Sequence, residues 1–97
     1  MTDSLIRIKK VEEKTGLKKS MVYELISKEE FVTSIKIGER AVAWVSSEID
    51  AINAARMAGK SADEIRQLVK TLTAKRLQLA NEILEASTPT PLPRYSG

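Results

Sequence analysis

The twelve residues Thr15-Gly16-Leu17-Lys18-Lys19-Ser20-Met21-Val22-Tyr23-Glu24-Leu25-Ile26 constrain this chain more than any other stretch, because they read as a tight turn feeding a short amphipathic helix. Glycine reaches the positive φ that closes a preceding helix at no steric cost, which fits Gly16, and Leu17 then drops into the core beneath the turn. Val22, Leu25 and Ile26 recur at helical spacing and face inward, so Lys19, Ser20, Tyr23, Glu24 and Ser27 face out. Lysine neutralises phosphate, and serine and tyrosine hydrogen-bond phosphate or base edges, so this outer face suits DNA. A solvated helix-turn-helix in any small α protein has the same pattern, and these twelve residues alone leave both readings open.

The rest of the composition removes other classes. The chain has 97 residues with no Cys and no His. That length fits one domain with an appendage, and the missing residue types exclude thiol chemistry, the usual structural zinc and the commonest general base. Asp and Glu are scattered among Lys and Arg at helical spacing, the pattern of a solvated surface rather than a paired acid and base. No catalytic residue, metal ligand, cofactor or small-molecule substrate is therefore assigned, and the chain is read as not an enzyme. No apolar run approaches the ~18–20 residues of a membrane span. Met1-Thr2-Asp3-Ser4 lacks the basic and apolar regions of a signal peptide, so a cytoplasmic protein without membrane partners is expected. A net charge of +3 is too small to argue nucleic-acid binding by itself. The distribution matters more, with cations gathered at Lys9, Lys10, Lys14, Lys18 and Lys19 and again at Lys36 and Arg40.

In chain order, Leu5-Ile6-Arg7-Ile8 is an extended lead into a helix from Lys9 to Thr15, with Ile8, Val11 and Thr15 inward and no good N-cap residue before it. The second helix spans Lys18 to Lys28, where Glu29 and Glu30 oppose the helix dipole. Phe31 to Ser34 reads as a loop plugged by Phe31. The period then changes to alternation in Ile35-Lys36-Ile37, a turn at Gly38-Glu39-Arg40, and a strand at Ala41-Val42-Ala43-Trp44-Val45. This is a hairpin of the kind called a wing, and Trp44 and Ile37 are expected to pack it on Val22 and Ile26. Trp44 is read as core rather than as a base-stacking residue. Ser46 or Ser47 is expected to cap a third helix with Ile49, Ile52 and either Arg56 or Met57 inward, ended by Gly59. Ser61-Ala62-Asp63-Glu64 fits a capping box that opens a fourth helix running to about Ala86.

Along that helix Ile65, Val69, Leu72, Arg76, Leu79 and Ile83 repeat with spacings of four and three, the pattern of a paired-helix seam. A 60-residue head buries only ~60% of its unfolded surface and has little left to cover so long a face, so a homodimer through this helix is expected. Arg76 would set its register by reaching Glu82 or Asp63 of a second copy. Leu68, Leu77, Ala80 and Leu84 widen the stripe, and the alternative is a helix that packs on its own domain. The fold class is thus mostly α, a winged helix-turn-helix head with a short β-hairpin followed by a long C-terminal helix. Its parts are a head over residues 1–60, a dimerising helix over 61–86 and a disordered Pro-rich tail over 87–97. A chain ended after Lys60 is expected to fold as a monomer.

Leu5-Ile6-Arg7-Ile8-Lys9, Val11, Thr15 to Ser20, Tyr23, Ile26, Phe31, Lys36-Ile37-Gly38, Arg40 to Trp44 and Ser47 to Ala51 together resemble the AlpA-like prophage regulatory proteins, over roughly residues 5 to 56. The resemblance implies a small winged-helix protein of the MerR and excisionase type, encoded on a prophage or integrative element, that binds double-stranded DNA. Such proteins act as transcriptional activators or as recombination directionality factors that bend DNA at attachment sites. It also implies that the helix from Lys18 enters the major groove while the hairpin at Gly38-Glu39-Arg40 reaches the minor groove or backbone. The chain departs from that family in having Lys18 in place of a capping Ser or Thr, Glu24 in place of a cation, and Val32 and Ser34 in place of prolines.

The function expected is sequence-specific transcriptional regulation, with Lys19, Ser20 and Tyr23 at the centre of the DNA contact, Lys18 and Arg40 on phosphates and Lys36 beside them. Alternatives are an excisionase, a protein-binding adaptor or antirepressor, which Glu24 and the low net charge favour, and more distantly a terminase small subunit.

Overall fold

Gly16 closes the first helix at φ 74°, and no neighbour comes within 4 Å of where a Cβ would stand, so its role there is conformational freedom rather than space. The structure is a computed structural model that describes residues 4–87, so the tail expected over 87–97 lies outside the described residues from position 88 onward. Helix α1 spans Ile8–Thr15 and helix α2 spans Lys19–Ser27. The Gly16 N–H donates to the Glu12 carbonyl at 2.8 Å, and Leu17 packs beneath the turn against the core. Lys18 is extended at the N-cap of α2 and provides no side-chain cap. Glu12 of α1 does so instead, its carboxylate accepting the Lys19 N–H at 2.8 Å. The end of α2 is tightened at Glu29, which adopts φ 62° while the Glu30 N–H bonds the Leu25 carbonyl at 2.9 Å. A left-handed residue other than glycine costs ~1 kcal/mol, so surrounding contacts hold this one in place.

The strands form a three-stranded antiparallel sheet in the order β1-β3-β2, with β1 at Leu5–Ile6, β2 at Ile35–Lys36 and β3 at Val42–Val45. Leu5-Ile6, expected only as a lead into α1, pairs with Val45 and Trp44 and so turns the expected hairpin into a sheet. On the other side Ile35 faces Ala43 and Lys36 faces Val42, and the Ile37 N–H closes the hairpin on the Ala41 carbonyl at 2.9 Å. Ile37 does not pack inward with Trp44. It is 46% exposed, because burial falls along the strand from half-buried Ile35 as the hairpin extends past the helices. Trp44 itself is fully buried, and its indole N–H donates to the Val32 carbonyl at 3.2 Å.

Helix α3, Ser46–Met57, leaves β3 directly, and its N-cap is Val45 without a side-chain cap, not Ser46 or Ser47. The Ser46 N–H is taken by the Ser4 carbonyl at 2.8 Å. Ile49, Ile52 and half-buried Ala55 make its inner line, which rotates Arg56 and Met57 outward rather than inward, and Met57 is 83% exposed. The helix ends as expected at Gly59, φ 74°, with the Lys60 N–H on the Ala55 carbonyl at 3.0 Å. The box that opens α4, Ala62–Ser87, is reciprocal: the Ser61 N–H donates to Glu64 at 2.9 Å and the Glu64 N–H to the Ser61 hydroxyl at 3.2 Å.

One core gathers Val11, Val22, Phe31, Trp44, Ile49 and Ile52 of the head with Ile65 and Val69 of α4, so it runs across the boundary expected at Lys60. Leu72 packs against the same cluster. Arg76 does not wait for Glu82 or Asp63 of a second copy. Its Nε donates to both oxygens of Glu48, at 3.1 and 2.8 Å, and its Nη2 reaches Glu48 at 2.6 Å and the Thr33 carbonyl at 2.8 Å. Asp63 instead faces Arg66 and Glu82 accepts from Gln78, both on the same helix. Four of the six expected seam residues, Ile65, Val69, Leu72 and Arg76, are thus occupied by their own head. The physical reason is that Glu48, 5% exposed in the first turn of α3, needs a cation, and the 4-3 spacing brings Arg76 to it.

Candidate nucleic-acid interface

Lys18, Lys19 and Ser20 stand exposed at the N-terminal end of α2, the end where the helix dipole and unpaired N–H groups favour anions. One turn further on, Tyr23 is 41% exposed. Its ring meets the buried Trp44 edge to face, with centroids 6.0 Å apart at an interplanar angle of 67°. This contact fixes the tyrosine on the sheet while its outer edge stays in solvent, and it ties α2 to the strand that carries the wing. Lys36 on β2 and Arg40 in the hairpin turn are also exposed. None of Lys18, Lys19, Lys36 and Arg40 forms an ion pair with a described residue, so all four charges remain open to an external anion.

Other charges counted in the sequence behave differently, and Lys10 lies 3.5 Å from Glu13 one turn on. Lys14, grouped there with the basic residues, points away into the head, where it bonds Asp50 at 2.7 Å and the Ser46 hydroxyl at 3.1 Å. Glu24, which would repel phosphate, lies 3.2 Å from Lys28 at the C-cap of the same helix, and that cation offsets it. Glu12 positions the candidate site and is a residue that the sequence reading missed. Its carboxylate caps the start of α2 and so sets the angle at which Lys18 and Lys19 are presented, but it lies seven residues before the N–H it accepts, too far for any local capping pattern to reveal. Met21 is 41% exposed beside Ser20.

A helix-turn-helix followed by a hairpin, all packed on one small core, defines a small winged helix-turn-helix protein. The chain belongs to the family of the Prophage CP4-57 regulatory protein (AlpA), whose family model matches residues 4–56. It is also 40% identical over 58 residues to "Uncharacterized protein ORF88" of Enterobacteria phage P4, a match covering 60% of this chain and 66% of that relative, just under two thirds of its length. No solved structure matches. The family is one of prophage regulatory proteins, and its match contains every candidate DNA-contacting residue but ends at residue 56, within α3 and before α4. Among the described residues no helix is long and apolar enough to cross a membrane, and no cluster of His, Cys, Asp and Glu could hold a metal ion.

Proposed function

We propose that this protein is a sequence-specific, double-stranded-DNA-binding transcriptional regulator of a prophage or integrative element, acting in the cytoplasm without a cofactor. The observation that carries this reading is the set of open cations and hydroxyls at the start of α2: Lys18, Lys19, Ser20 and Tyr23 face solvent together, while Trp44 beneath them is buried. In this docking α2 enters the major groove, where Lys19, Ser20 and Tyr23 meet base edges. Lys18 neutralises a phosphate at the helix start. Lys36 and Arg40 on the hairpin hold the backbone alongside. Membership in a prophage regulatory family supports the regulatory role.

The test is selection of bound sequences from a random duplex pool, followed by titration of the selected site at several salt concentrations. Lys18→Ala should weaken binding about equally on all sequences and lower the salt slope by roughly one, whereas Lys19→Ala should relax preference at particular base pairs. Unchanged affinity on every duplex for both Lys18→Ala and Arg40→Ala would sink this docking. Absence of binding even to random duplex at low salt would remove the DNA reading itself, since an electrostatically competent face must show nonspecific association.

A further inference from the structure

Ser20, Glu24 and Ser27 occupy one line along α2, because a helix turns ~100° per residue and these three fall within ~60° of one another, on the side away from buried Val22 and Leu25. All three are exposed. Tyr23, which packs on Trp44, leans to one flank of this line, and exposed Met21 leans to the other. Glu24 thus stands in the middle of the outward face, with 53% of its side chain exposed. We propose that Glu24 selects cytosine at one position of the DNA site, its carboxylate accepting a hydrogen bond from the cytosine N4 amino group in the major groove. The proposal rests on the reading of α2 as the helix that enters that groove.

Its place on the helix decides between phosphate and base. Phosphates run along the walls of the groove and meet the flanks of an inserted helix, whereas the line facing away from the core meets the floor, where the base edges lie. A carboxylate has only acceptors to offer. The O6 and N7 of guanine and the O4 of thymine are acceptors too and repel it, which leaves the amino groups of cytosine and adenine. The adenine amino group has acceptors on both sides, its own N7 and the O4 of the paired thymine. That of cytosine has the O6 of the paired guanine on one side and only a C5–H on the other, so cytosine meets the carboxylate with the least repulsion. Lys28 prepares the group. Its ammonium lies 3.2 Å from Oε2 and offsets part of the charge that DNA would otherwise repel, while Oε1 bonds no described residue and stays open to a donor.

Selection of bound sequences from a random duplex pool, run with the original chain and with Glu24→Ala, tests this. The original should choose cytosine at one position by roughly 10-fold over the other bases, the scale of a single mismatch. Glu24→Ala should lose that preference and keep those at other positions. Glu24→Gln should move the choice to adenine, whose N6 and N7 suit an amide. Replacing the chosen cytosine by N4-methylcytosine, whose methyl group takes the place of the hydrogen facing the groove, should weaken the original chain by a similar factor and leave Glu24→Ala unaffected. The emission of Trp44 should be the same in all three proteins, because residue 24 lies outside the core. A charge that only sits in solvent gives a different result: Glu24→Ala then binds every duplex more tightly by the same factor with the preferred site unaltered, and that result overturns the proposal. An original chain that selects a defined site with no cytosine dependent on Glu24 overturns it too and leaves the DNA reading intact, whereas failure to bind any duplex at low salt removes both.

Discussion

Ile65, Val69 and Leu72 before Arg76, and Leu79 and Ile83 after it, follow one spacing along one helix, yet the first three are buried or half-buried against the head and the last two are mostly exposed. The divide is Arg76, which the head holds through Glu48 and Thr33. A hydrophobic period shows that a helix has a face to cover, but it carries no information about what covers it. The covering of the first half is decided by a partner from a different stretch of chain: Glu48, buried at the start of α3, fixes how far along α4 the docking extends. Beyond that point the same pattern stays exposed.

The comparison breaks most severely if the divide itself is removed. Arg76→Ala leaves the Glu48 carboxylate buried without its bidentate partner, and loss of one member of such a pair costs ~3–5 kcal/mol. Because the Arg76 side chain is 22% exposed and water can partly replace it, the lower end, ~3 kcal/mol, is expected. Urea unfolding followed by Trp44 emission reads this directly. A midpoint equal to that of the original chain would mean that the head does not depend on the docked half. For the same reason, a chain ended after Lys60 should be far less stable than the full one, since it lacks Ile65 and Val69 from the core as well as the cation for Glu48.

A smaller effect is expected at Arg66, which holds the end of α2 from the docked half. Its Nε donates to the Lys28 carbonyl at 3.3 Å, and its Nη2 reaches Glu30 at 3.2 Å, beside the left-handed Glu29. The guanidinium is 36% exposed and screened by solvent, so Arg66→Ala should cost only ~1 kcal/mol. Hydrogen exchange should show the loss as faster exchange of the Glu29 and Glu30 amides, while amides of α3 change little. Uniform acceleration throughout the head would show that Arg66 supports the whole fold rather than the end of α2.

In the projecting half the sign of the comparison reverses. Leu79→Ala and Ile83→Ala should each move the unfolding of the head by no more than ~0.5 kcal/mol when measured at concentrations where the chain is monomeric, as surface substitutions do. A loss comparable to that of Arg76→Ala would place these residues in the core and erase the difference between the two halves.

Much of the framework was legible in local chemistry. The turn at Gly16, the end at Gly59 and the box at Ser61 and Glu64 depend on residues within a few positions of one another, so residue type and spacing suffice to read them. Three of the six candidate DNA-contacting residues were legible as exposed for the same reason, since α2 buries Val22 and Leu25 and must turn Lys19, Ser20 and Tyr23 outward. What escaped depends on long-range partners: the pairing of Leu5 and Ile6 with β3, the capping of α2 by Glu12, the capture of Lys14 by Asp50, and the reach of Arg76 across to Glu48. The inward placement of Ile37 failed because alternation fixes which side of a strand a residue faces, but not whether anything lies there to cover it.

The smallest effect expected is at the very start of the docked half, and it concerns pH. The Ser61 N–H donating to Glu64, helped by the nearby Lys60 ammonium and the Ser61 hydroxyl, holds the Glu64 carboxyl below its ordinary value near 4.5. A carboxyl whose folded value is depressed contributes stability that is present above its unfolded value and is lost as pH falls through the folded value. Glu64 is fully exposed, so the contribution is slight and confined to acid solution below pH 4.5. Glutamine at this position keeps an oxygen for the Ser61 N–H but has no proton to gain. Glu64→Gln should therefore remove one small, acid-dependent step in helicity that the original chain shows, leaving the profile above that pH unaltered. Acid titration of the two proteins by far-ultraviolet circular dichroism, with the Glu64 carboxyl followed by NMR, provides the measurement. A Glu64 carboxyl that titrates at its ordinary value would show that the box does not hold the start of α4 in solution, and that the docked half is anchored by Ile65, Val69 and Arg76 alone.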